Sequence, residues 1–194
     1  MPESSDDTGA IERVMSVMGY FSVGKSSLTQ QFVTGTFPES YDPTMEDIHL
    51  KKYPYRGKVY GLKIIDTAGM YEHSLFPRSC STVDVQAFIL VYAINSRQSF
   101  DILRSIYDKI LDNFGQNVPV ILVGNKKDLE HAEREVQKEE GESLAKDWKA
   151  TFMEATAKDP KVVESVFSTC LYEIEKSLGF IKEPEKEKQK CSIS

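Results

Sequence analysis

Residues 19 to 27 read GYFSVGKSS, a match to G-x-x-x-x-G-K-[ST]. The pattern works only where a strand ends and a helix begins. There a phosphate chain can be wrapped by successive backbone N–H groups and by the positive end of the helix. The flanks meet that condition. Arg13 to Met18 reads as a strand, with Ser16 making it less apolar than most central strands, and Lys25 to Thr34 carries Leu28 and Phe32 at i and i+4, as a helix does. Lys25 is then expected to reach the β and γ phosphates and Ser26 to hold Mg²⁺. A chance match in a chain of this length has odds of roughly 1%. The competing reading, a glycine turn with an exposed lysine, is weakened further by the strand-to-helix setting.

Such a loop belongs to an α/β architecture, and the rest of the chain fits one. Asp47 to Tyr53 and Lys58 to Ile65 are strand-like around the turn pair Arg56-Gly57, so a hairpin is expected. Ala87 to Ile94 (AFILVYAI) and Val118 to Val123 (VPVILV) are apolar runs suited to strands covered on both faces. Between them Phe100, Leu103, Tyr107 and Ile110 recur at helical spacing over 99–114. Asp159 is placed to cap a helix opening at Pro160, with Val163, Val166, Phe167, Cys170 and Ile174 on its inner side. The order predicts a mostly parallel sheet with helices on both faces. The expected division is an acidic, disordered stretch over 1–11, one domain over 12–180 and a flexible tail over 181–194.

Bulk properties close off several functions. At 194 residues, 40% apolar and 28% charged, the chain supports one sizeable core. A net charge of −6 argues against nucleic acid as partner. No apolar run approaches the ~18 residues of a membrane span, and the polar N-terminus MPESSDDTGA is unlike a signal peptide, so a cytosolic body is expected. Three cysteines, Cys80, Cys170 and Cys191, are too few and too widely spaced for a disulfide framework or a zinc site. Cys80 and Cys170 read as small apolar residues. His73 and His131 read as surface residues, and Trp148, near Leu144 on an amphipathic helix, as core. Tyr53 and Tyr55 are candidates for partner contact, though exposed strand aromatics are common.

A second motif selects the nucleotide. NKKD, Asn125 to Asp128, follows the run VPVILVG and so falls at a strand's C-terminal end, on the same edge as the phosphate loop. The Asp128 carboxylate can accept from N1–H and the exocyclic amine of guanine, whereas adenine would leave its charge unpaired. Sites built this way reject the wrong analogue by about 10⁴.

GxxxxGKS, YDPT at Tyr41 to Thr44, DTAG at Asp66 to Gly69, NKKD, and TAK at Thr156 to Lys158 occur in the order and approximate spacing of the Ras-type small GTPases, which the chain resembles over roughly residues 12 to 178. SVGKSSL, FPESYDPT and SLFP are similar to the Rheb subfamily, whose members activate the TOR kinase complex. The resemblance implies a P-loop fold with a six-stranded sheet, one antiparallel edge hairpin, bound GTP or GDP, and slow GTP hydrolysis. It implies that Gly19 and the backbone of Ser22, Val23, Gly24, Lys25, Ser26 and Ser27 cradle the phosphates. Ser26, Thr44 and Asp66 would serve Mg²⁺, and Thr44 and Gly69 would bind the γ-phosphate. Phe37, Pro38, Asn125, Lys126, Asp128 and Ala157 would hold guanine and ribose. Lys25, Tyr41, Thr44 and Gly69 would act in hydrolysis. Two loops, around 38 to 47 and 67 to 80, would relax once the γ-phosphate leaves, with Tyr41, Asp42, Pro43, Thr44, Met45, Glu46 and Asp47 as the effector segment.

Two residues depart from the Ras pattern. Met70 stands where Ras-type enzymes usually have a glutamine that orients the attacking water, and a thioether cannot do that. Phe21 stands where Ras has glycine, close to the expected γ-phosphate. Both predict slow turnover; the competing reading of Met70 is that it merely packs against the second switch helix. A tuberin-type activating protein that supplies asparagine rather than arginine could still act. The tail ends in CSIS, a C-a-a-X signal with Cys191 as the expected target of farnesyltransferase. Glu185 and Glu187 largely cancel Lys186, Lys188 and Lys190, so one lipid chain predicts loose attachment to cytosolic faces of endomembranes. A monomer is expected. The alternatives are a binding module that carries GTP almost permanently, and a P-loop nucleotide kinase, which NKKD counts against.

Overall fold

The computed structural model describes residues 9–38 and 45–181. Its elements are β1 (Ile11–Gly19), α1 (Lys25–Thr34), β2 (Glu46–Tyr55), β3 (Lys58–Thr67), α2 (Arg78–Ser81), β4 (Ala87–Ala93), α3 (Arg97–Asp101), α4 (Leu103–Phe114), β5 (Val120–Asn125), a 3₁₀ turn (Lys127–Leu129), α5 (Glu130–Glu133), α6 (Lys138–Trp148), β6 (Thr151–Glu154) and α7 (Pro160–Ser177). The strands form one sheet in the order β2-β3-β1-β4-β5-β6. Only β2 and β3 are antiparallel. The predicted α/β class, with its six strands and edge hairpin, is the fold observed.

Strand side chains alternate between two cores, as a period of two requires. Met15 and Val17 of β1 and Ile89 and Val91 of β4 face the side shared with Phe167, Cys170 and Leu171 of α7. Met18 of β1 and Phe88 and Leu90 of β4 face the other side, with Leu103, Ile106 and Ile110 of α4. Every residue of β4 is buried, which is why its sequence reads as an unbroken apolar run. The rings of Phe32 in α1 and Phe167 stack at 4.2 Å and fix the first helix against the last. Cys80 and Cys170 are buried, and Asp159 caps α7 by accepting from the N–H groups of Lys161 and Val162.

The β2–β3 turn has Arg56 at φ 49 and Gly57 at φ 75, the paired positive angles that keep a two-residue hairpin in step with strand twist. Near the end of α7, the buried Glu175 accepts from the Arg13 Nε at 2.6 Å and from the Tyr60 hydroxyl at 3.0 Å. Four details differ from the sequence reading. The helix expected over 99–114 begins at Arg97, where Ser96 caps it, and is interrupted at Ile102. Tyr53 is buried rather than available to a partner, because α7 lies beneath it and Glu164 accepts its hydroxyl at 3.0 Å. Trp148 is only half-buried, stacked on Tyr107 at 4.1 Å. β6, a four-residue strand, is too short to have announced itself by alternation.

Candidate functional site

The carboxyl ends of the parallel strands converge where an open α/β sheet binds ligands. β1 runs out at Gly19, and the chain crosses to α1 through a loop whose shape leaves two glycines no substitute. A Cβ on Gly19 would stand 2.1 Å from the Val91 carbonyl oxygen, and one on Gly24, at φ 94, would stand 2.3 Å from Asn125 Nδ2. Ser22 also has positive φ, 57, while Val23 is buried and anchors the loop. Ser26 and Ser27 lie in the first turn of α1.

Lys25 is buried beneath this loop, and its ammonium donates to the carbonyls of Tyr20 at 2.9 Å and Gly19 at 3.3 Å. Burial pushes its pKa down to about 8, with the Asp66 carboxylate pulling the other way. Asp66, near the end of β3, is also buried. Desolvation raises its pKa, opposed by a hydrogen bond from Ser26 and by the charge of Lys25. Each ion is weakened by the same loss of water, and each is the other's partial remedy.

The DTAG segment is stapled to this loop. The Thr67 hydroxyl donates to the Val17 carbonyl at 2.9 Å, and the Met70 N–H to the Gly19 carbonyl at 3.0 Å. Met70 is 2% exposed and packs in the core shared with Met18, Ile65 and Cys80. Its thioether therefore points away from the phosphate loop's open side. Phe21 occupies that side. A Cβ on Gly69 would be only 2.3 Å from a carbon of the Phe21 ring, which meets Tyr20 edge-on at 5.3 Å and stacks on Tyr71 at 6.4 Å. The nearest helix downstream, α2, spans only Arg78–Ser81.

On the other flank, Asn125 ends β5 and its buried Nδ2 donates to the Val23 carbonyl at 2.8 Å, joining NKKD to the phosphate loop. Lys126 turns the chain at φ 66, and the Lys127 N–H bonds the Ala155 carbonyl at 3.0 Å. Asp128 accepts from the Thr156 hydroxyl at 2.8 Å and from Lys158 Nζ at 2.5 Å. Burial tends to raise the pKa of this carboxyl, but the bonds from Lys158 and Thr156 outweigh it and hold the group below its ordinary range. Ala157 is buried beside them, while Phe37 is half-exposed at the far end of the α1 loop, next to Pro38.

An ion pair that sequence reading missed braces this flank. Arg134 donates to Glu154 at 2.7 Å and 3.2 Å, and Glu154 closes β6 immediately before the Ala155–Lys158 loop. A lone arginine after a charged helix gives no sequence signal of this. Met45, Glu46 and Asp47 are exposed where β2 begins. Tyr41, Asp42, Pro43, Thr44 and Cys191 lie outside the described residues.

A profile of the Ras family matches residues 14–176. The chain belongs to the Ras family. Over its full length it is 43% identical to the GTP-binding protein Rheb of Homo sapiens, which the match also covers in full. It is 45% identical over 178 residues to the GTP-binding protein Rheb homolog 1 of Caenorhabditis elegans, covering 91% of this chain and 85% of that one. It is 43% identical over 165 residues to the GTP-binding protein rhb1 of Schizosaccharomyces pombe, covering 84% and 88% respectively. Within the Ras family these relatives mark it as a small GTPase of the Rheb subfamily.

Magnesium, the ion that goes with this family, suits the residues present. The buried Asp66 Oδ1 finds no hydrogen-bond partner among the described residues, and its neighbour is the Ser26 hydroxyl. A hard divalent cation takes oxygens of this kind together with phosphate and water.

Proposed function

We propose that the chain is a GTP-binding switch of the Rheb type that cycles between GTP and GDP forms with slow intrinsic hydrolysis. The observation that carries this reading is the Asn125–Val23 hydrogen bond at 2.8 Å. It makes one rigid unit of a backbone cradle suited to phosphates and a segment whose Asp128 suits guanine. The amides of Ser22 to Ser27 would wrap the phosphates, and Lys25 would neutralise them as it leaves the carbonyls of Gly19 and Tyr20. Asn125, Lys126, Asp128 and Ala157, with Phe37 and Pro38, would hold the nucleoside. Ser26, Thr44 and Asp66 would hold Mg²⁺, which supplies charge neutralisation on the phosphates. Gly69 and Thr44 would meet the γ-phosphate, and Tyr41 would shape the hydrolytic site.

Slow turnover rests on two features. Residue 70 is directed into the core, so no side chain there orients water, and Phe21 covers Gly69. In its GTP form the chain would act on the TOR kinase complex through residues 41–47, with a tuberin-type activating protein ending the signal. Farnesylation at Cys191 would hold it at the cytosolic face of endomembranes. Among the described residues no helix is long and apolar enough to cross a membrane. Calorimetry with GTP, GDP and ATP in the presence of Mg²⁺ tests the core of this proposal. Tight guanine binding with ATP rejected by about 10⁴ is expected, and equal binding of ATP would overturn it.

The burial of Met70 also favours a second reading, a module loaded with GTP almost permanently and governed by abundance or exchange. The GTP to GDP ratio on protein isolated from cells separates the two.

A further inference from the structure

Residues 71–75, just beyond Gly69 and Met70, have little apolar anchorage. Tyr71 is 50% exposed and Leu75 89% exposed, with Glu72 and His73 exposed between them. The segment is nonetheless tightly shaped. The Ser74 N–H bonds the Tyr71 carbonyl at 3.0 Å, and the Tyr71 N–H bonds the Ser74 hydroxyl oxygen at 2.9 Å. Most of its hydrogen bonding to the rest of the fold comes from one side chain. Lys109 Nζ donates to the carbonyls of Glu72 at 2.6 Å, Ser74 at 2.9 Å and Tyr71 at 3.5 Å. An ammonium has three N–H donors and all three are directed here. Ser105, one turn earlier on the same face of α4, adds a bond to the Glu72 carbonyl at 3.4 Å. The helix beneath is fixed, since Leu103, Ile106 and Ile110 are fully buried.

The turn leads back to the phosphate loop through Tyr71, whose ring stacks on Phe21, and Phe21 lies on Gly69. We propose that Lys109 is a positioning residue: by gripping the 71–74 carbonyls it holds Tyr71 against Phe21 and so keeps the Phe21 ring over Gly69. The chain of contacts runs Lys109, turn, Tyr71, Phe21, Gly69. Bonds from a charged donor are the stronger kind, so a single ammonium suffices to hold an otherwise exposed turn. Releasing it would free Phe21 to swing aside and let Gly69 approach a γ-phosphate. The grip selects between di- and triphosphate without touching either. The inference rests on the proposed role of Gly69 at the γ-phosphate.

The test compares wild type, Lys109→Met, which keeps the stem but has no donors, and Lys109→Arg, which keeps charge and donors. Amide exchange over residues 71–75 in the GDP complex is expected to quicken about tenfold in Lys109→Met and to stay near wild type in Lys109→Arg. The affinity of GTPγS relative to GDP is expected to rise about threefold or more in Lys109→Met. That shift should vanish when Lys109→Met is made in a Phe21→Ala background, because the two act on one path. Unchanged exchange, an unchanged affinity ratio, equal effects of Met and Arg, or a full additional shift in the Phe21→Ala background would each overturn the proposal. Failure of wild type to prefer GTPγS to ATPγS would instead sink the GTP reading, and the exchange comparison would still judge the grip.

Discussion

The ring of Phe21 lies so close on Gly69 that a single added Cβ would come within 2.3 Å of it. Two segments far apart in sequence, the phosphate loop and the DTAG loop, thus meet through an aromatic face. Removing the ring in Phe21→Ala opens the space above Gly69. Single-turnover GTP hydrolysis is expected to quicken by about threefold or more, a small share of what correct positioning can supply. An unchanged rate would show that the ring does not obstruct.

Met70→Gln restores the residue type found in most Ras-type enzymes but not its location. The position is 2% exposed and belongs to the apolar core that also holds Met18, Ile65 and Cys80, so the new amide would be buried in apolar surroundings. A loss of about 1–3 kcal/mol in denaturant unfolding is expected, with hydrolysis no faster. A tenfold faster enzyme would mean the side chain leaves the core.

Lys25, pushed down to about 8 from an ordinary 10.5, gives a pH signature. As a base with a depressed folded pKa, it costs stability while it is charged in both folded and unfolded states. That cost disappears as pH rises from about 8 towards 10.5, so without ligand the protein gains stability over that window. Phosphate oxygens would restore the charge. Nucleotide binding near pH 8.5 is therefore expected to take up a proton and to weaken as pH rises further. Calorimetry in two buffers of different ionisation heat reads the uptake, and Lys25→Met should abolish it.

Asn125 and Asp128 sit three residues apart and should fail differently. Asn125→Ala strands the buried Val23 carbonyl and unties the two loops. About 1–3 kcal/mol of stability should be lost, with GTP and GDP affinity falling together. Asp128→Ala removes a partly exposed carboxylate and should spare stability while cutting discrimination between guanine and adenine nucleotides by about 100-fold or more. Thermal unfolding and competitive binding with ATP separate the two outcomes.

The central strands were legible because β4 and β5 are covered on both faces, and full burial writes itself as continuous runs of Ala, Phe, Ile, Leu and Val. The phosphate loop was legible because its glycines answer close approaches that no side chain tolerates. The inward turn of Met70 was legible only as the competing reading, packing against the second switch helix. Its direction is set by an N–H reaching the Gly19 carbonyl across the sheet edge, a contact with no local sequence signature. The burial of Tyr53 likewise depends on α7, 111 positions away through its Glu164 partner. The Arg134–Glu154 brace and the Lys109 grip are pairings of surface-type residues that only the folded chain brings together.

The carboxylate of Glu175 ties the last helix to the first and third strands through Arg13 and Tyr60. The smallest autonomous folding unit must therefore reach beyond that residue. Trimming the chain at residue 174 would leave a guanidinium of β1 without its counter-ion, at about 3–5 kcal/mol, roughly a fifth or more of what holds a typical domain together.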